Sequence, residues 1–79
     1  MQVEIVTPDT TLFAEDQVRL VQLPGIDGSF EVMDQHSPLV SVLKKGKVKV
    51  EMNNKKSLFF DINGGVIEVL HNHVMILAE

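Results

Sequence analysis

Apolar residues in this chain recur at every second position, in short runs cut by turn-forming residues, and hardly anywhere at the three-to-four spacing of a helix. That period admits strands and little else. Lys47-Val48-Lys49-Val50-Glu51-Met52 is the clearest case, charged on one side and apolar on the other. Turn signals stand at Pro8-Asp9, Pro24-Gly25-Ile26-Asp27-Gly28, Asn53-Asn54, Asn63-Gly64-Gly65 and His71-Asn72-His73. Between them the pattern predicts strands over residues 3–6, 11–13, 17–23, 30–33, 38–43, 47–52, 56–62, 66–70 and 74–78. Residues 38–43 are read as extended because Val40 and Val42 are β-branched. Residues 47–52 with 56–62, and 66–70 with 74–78, read as hairpins.

Many short strands with no crossover helix predict an all-β, antiparallel β-sandwich or flattened barrel of about eight to ten short strands, with no C-terminal helical hairpin. Residues 1–79 are expected to form one domain. An open single sheet would leave Phe30, Phe60, Ile62, Ile67 and Ile76 in water. Each such side chain is worth about 1.5–3 kcal/mol when buried.

A chain of 79 residues buries only about 60% of its unfolded surface. It has no cysteine, so disulfides and thiolate metal sites are excluded. Yet 44% of its residues are hydrophobic, and none of the runs approaches the roughly 20 apolar residues of a membrane-spanning helix. Such an excess suits a surface covered by another protein; scattered exposed aliphatics around a compact core would also account for it.

The net charge of −4 divides unevenly, −6 over residues 1–43 and +2 over residues 44–79. An acidic chain is a poor general binder of nucleic acid, where phosphate neutralisation supplies most of the affinity. Lys44, Lys45, Lys47 and Lys49 read as a solvated hairpin edge. A small β-barrel nucleic-acid-binding module is the alternative function, suggested by size, strand pattern and those lysines. It lacks the aromatic stacking platform such proteins use, with four Phe and no Tyr or Trp.

Motifs for chemistry are sparse. Gly25 and Gly28 lack the third glycine of a dinucleotide turn, and Lys44-Lys45-Gly46-Lys47 lacks phosphate-loop spacing. His71 and His73 alone are too few for a metal site. Asp27, Glu31, Asp34 and His36 are close in sequence and read either as an acid–base cluster or as a polar rim.

The segment Gly28-Ser29-Phe30-Glu31-Val32-Met33-Asp34-Gln35-His36-Ser37-Pro38-Leu39 resembles the G-x-F-x-V-x-x-x-H-x-P-L signature of the ε subunit of F-type ATP synthases. Other pieces resemble that family in the same order: Val3-Glu4-Ile5-Val6-Thr7-Pro8, Thr11-Leu12-Phe13-Ala14-Glu15, Leu23-Pro24-Gly25, Gly64-Gly65-Val66-Ile67-Glu68-Val69 and Val74-Met75-Ile76-Leu77-Ala78. Asp34-Gln35 stands where the family often has Pro-Gly, and Ser29 where an acidic residue is common.

The resemblance implies a non-catalytic rotor subunit with no cofactor. It would sit in the central stalk, linking the γ subunit to the polar loops of the c-ring and coupling proton translocation to ATP synthesis. It would lie peripherally at the cytoplasmic face of the inner membrane. Ser29, Glu31, His36, Ser37, Pro38 and Leu39 are the residues expected at the c-ring or γ interface. The run from Leu39 to Leu43 reads either as core strand or as part of a γ-facing patch. Most members continue into a helical hairpin that inhibits hydrolysis or binds ATP; this polypeptide is expected to do neither.

Overall fold

The computed structural model describes residues 1–79, as seven strands and no helix. The strands are β1 (Gln2–Val6), β2 (Thr11–Glu15), β3 (Val18–Gly25), β4 (Gly28–Met33), β5 (Leu39–Met52), β6 (Ser57–Leu70) and β7 (His73–Ala78). They hydrogen-bond in the order β2-β1-β7-β6-β5-β3-β4.

The all-β class stands, with fewer strands than the eight to ten expected. β5 and β6 each run for 14 residues. They pair in one register from Leu39↔Val69 to Glu51↔Ser57. Lys44-Lys45-Gly46 and Asn63-Gly64-Gly65 therefore lie inside strands. Gly64 and Gly65 have φ of 133° and 149°, where an L side chain is strained, so the ribbon bends there without leaving its ladder. A Cβ on Gly65 would run into the Leu77 carbonyl oxygen.

That bend makes two layers from one continuous ladder. Residues 65–70 of β6 pair with β7, whereas residues 49–52 of β5 pair with β3. β2 and β6 are three strands apart in pairing order, about 14 Å in a flat sheet. The rings of Phe13 and Phe60, one from each, nevertheless meet with centroids 5.4 Å apart. Sheet has closed over sheet. Between the layers lie Val3, Ile5, Val21, Leu23, Val32, Val50, Ile67 and Ile76, with no buried polar or charged residue among them. Phe30 and Phe60 are half-buried against this core.

Two further expectations change. The ladder is not wholly antiparallel, because β1 and β7 run parallel from Gln2↔His73 to Val6↔Leu77. Alternation assigns Val3, Ile5, Val74 and Ile76 to the inner face but does not choose neighbours. The lysine run lies on no edge either, since β5 is flanked by β6 and β3. Lys47 Nζ lies 2.9 Å from Asp61 Oδ1. The β6–β7 hairpin turns on His71 and Asn72, both with positive φ (51° and 60°), as a two-residue type I′ loop demands. His73 belongs to β7.

Candidate functional site

β4 is an edge strand, and its alternation places Phe30 and Val32 toward the core and Ser29 and Glu31 on the solvent side. Ser29 pairs with Pro24 and Glu31 with Gln22 of β3. His36, Ser37 and Pro38 form the exposed connection to β5. The His36 N–H donates to the Met33 carbonyl at 3.2 Å. The His36 ring Nδ1 lies 2.7 Å from the Ser37 carbonyl oxygen. A carbonyl only accepts, so the ring hydrogen sits on Nδ1. Leu39 opens β5, half-buried against the core.

Ser29 and Glu31 share one face, and His36 through Leu39 are contiguous. Gly28 and Phe30, on either side of Ser29, line one pocket with Val40 and Ser41, just after Leu39, whereas His36 lies toward the other end of β4. Ser29 and Met33 are four residue steps apart along the strand, about 13 Å, and His36 lies beyond Met33. The four groups Asp27, Glu31, Asp34 and His36 are spread along the same edge as a polar rim. Asp34 has other partners: Asn72 Nδ2 donates to it at 2.9 Å, and the Met1 amino group lies 3.1 Å away. The Asn72 hydrogen bond first, then the hydrogen bond and charge of the amino terminus, hold its carboxyl below the usual aspartate value. Asn72 Oδ1 also accepts from the Gln35 N–H at 2.7 Å.

Histidine chemistry is equally dispersed. His71 is exposed in its turn, and His73 Nε2 lies 3.5 Å from Glu4 Oε1 across the β1–β7 pair. Gln2 Nε2 donates to that same carboxylate oxygen at 3.3 Å. No three His, Cys, Asp or Glu side chains gather as metal ligands would. Phe59 is the single well-exposed aromatic ring, too little for a stacking surface.

The larger feature is apolar. The run from Leu39 to Leu43 divides by alternation into a core-facing and a solvent-facing set. Leu39 and Leu43 face the core, while Val40 and Val42 are 70% and 51% exposed. Across the outer face of this layer, Val42 pairs with Val66, Val66 with Leu77, and Leu77 with Val6. Val40, Glu68, Met75 and Glu4 make the next row. Leu70 and the exposed Ile26, whose N–H donates to the Val42 carbonyl, extend the patch. Patches of this kind mark interaction surfaces. Their sequence signal is apolar residues on both faces of residues 39–43, 66–70 and 74–78, more than one core can hold.

The family model for the β-sandwich domain of the ATP synthase delta/epsilon chain matches residues 1–79. The ATP synthase epsilon chain of Chlorobium limicola is 41% identical over 78 residues, covering 99% of this chain and 88% of that one. That of Chlorobaculum tepidum is 38% identical over 76 residues, with 96% and 85% covered. Among solved structures, a chain of the Tetrahymena thermophila mitochondrial ATP synthase central stalk and c-ring superposes with a TM-score of 0.86 at 20% identity, over 99% of this chain and 62% of that one. At that identity the likeness is one of fold. The sandwich, its order of motifs and these relatives place the chain in the ATP synthase ε family, as a non-catalytic subunit of that complex.

Proposed function

We propose that this subunit is a stiff joint of the ATP synthase rotor, held to the γ subunit by the outer face of β5, β6, β7 and β1. The uncovered apolar rows Val42–Val66–Leu77–Val6 and Val40–Met75 support this reading. A permanent joint needs on the order of 1,200–2,000 Å² of buried surface or more, and five of the nine exposed large hydrophobic side chains, Val40, Val42, Val66, Leu70 and Leu77, lie on this face. In this reading residues 1–79 act as one unit. The rim of Ser29, Glu31, His36, Ser37, Pro38 and Leu39 meets polar loops of the c-ring, where it fixes orientation and register rather than most of the affinity. Proton flow turns the ring, sandwich and γ together, and the catalytic subunits elsewhere make ATP. The chain would lie at the cytoplasmic face of the inner membrane, peripheral to it. No helix of the molecule is long and apolar enough to cross a membrane.

Stiffness follows from the ladder. β5 and β6 contribute to both layers, so shearing one layer over the other must break the same ribbon. Gel filtration of the chain with purified γ is expected to give a one-to-one complex. Val40→Asp with Leu77→Asp should abolish it while leaving the circular dichroism spectrum of the isolated chain unchanged, because both residues point away from the core. Retention of the complex by that double variant would move γ to another face.

A further inference from the structure

Glu68 stands in the middle of the apolar face with no ion pair or hydrogen bond. Its cross-strand neighbours are Val40 and Met75, and its same-face neighbours along β6 are Val66 and Leu70. The other carboxylate on this face, Glu4, is engaged by Gln2 and faces His73. No lysine or arginine shares a row with either. Beside Glu68 is a groove of about 250 Å³ walled by Pro38, Leu39, Val40, Val69 and Leu70.

A partner that laid only apolar side chains here would strip water from an unpaired carboxylate, a heavily unfavourable arrangement. The groove suits a side chain with an aliphatic stem and a cationic end. We infer that the protein covering this face inserts one lysine or arginine into the groove between the ends of β5 and β6, with its charge on Glu68. This rests on the reading of γ as the covering partner and specifies what γ must present: an apolar stripe interrupted by a single cation. A second copy of the chain fits that requirement less well, because the rows around Glu68 on its equivalent face hold two carboxylates, and its one lysine, Lys44, stands at the margin beside Gly64 and Glu79. Glu68 thus sets orientation as well as selectivity, since only one placement of the cation pairs it.

The test is titration calorimetry of γ with three forms of the full chain: wild type, Glu68→Gln and Asp61→Asn. Asp61 lies on the other layer, paired with Lys47, and its variant controls for net charge. Expected are equal affinities for wild type and Asp61→Asn, and at least about 30-fold weaker binding by Glu68→Gln, with thermal melts showing all three folded. Equal affinity of Glu68→Gln and wild type would overturn the cation while leaving γ docking intact. A fourth form, Glu68→Leu, would do the same if it bound more tightly than wild type, by showing that γ meets this spot with an apolar group. Absence of wild-type binding, or self-association of the chain that excludes γ, would remove the γ reading and the cation with it.

Discussion

Adjacent residues in this chain have opposite duties. Ile67 is fully buried and Val66 is exposed, although they differ by one methylene and one position. Period-two geometry alone separates them. Asp34 shows the same economy in polar form. Its carboxylate gathers Asn72 and the amino terminus, tying the end of β4 to the β6–β7 turn and the start of β1. Its native-state pKa is lowered, so its contribution is present above the unfolded value of about 3.9 and fades as pH falls through the lower native value. Asp34→Asn is therefore expected to lower the melting temperature at neutral pH and to converge with wild type in acid. A gap that stayed constant from neutral to strongly acid pH would assign the loss to something other than this charge.

At the scale of elements, the decisive feature is the bend in the β5–β6 ribbon. A sequence reading sees Asn63-Gly64-Gly65 as a turn, since Asn-Gly is a strong hairpin signal. Here the glycines instead let one strand serve two layers. Gly65 has both a positive φ and a backbone carbonyl where a Cβ would go. Gly65→Ala should cost about 2 kcal/mol or more in urea denaturation. The same change at Gly28, also at positive φ but with open space around it, should cost less. Equal losses at the two positions would show that backbone strain alone, not the Leu77 contact, limits residue 65.

Across the whole molecule, the apolar face and the polar rim divide the proposed work. The first supplies affinity for a permanent neighbour; the second supplies register against a ring. Glu31→Lys with His36→Glu lies outside the core and puts a cation where the acid stood and an acid where the imidazole stood, so the isolated fold should melt as wild type does. In assembled membranes the double variant is expected to weaken ATP-driven proton pumping, followed by fluorescence quenching. Normal pumping would take the c-ring contact away from these two residues. Because Ser29 lies at the far end of β4 from His36, a ring contact through both must span the length of that strand.

Strand identity was legible from residues alone. Alternation in Lys47–Met52, turn residues at Asn53-Asn54 and β-branching at Val40 and Val42 are local properties, fixed before any long-range contact forms. Ser29, Glu31, His36 and Ser37 were legible as polar and exposed, and the surplus of aliphatic residues announced an exposed apolar face. Strand partners were not legible. The parallel seam of β1 with β7, the fusion of strands through Gly64 and Gly65, and the isolation of Glu68 among Val40, Val66, Leu70 and Met75 all depend on which chains lie side by side. A two-residue period states which way a side chain points; only packing of the two layers decides what it meets there.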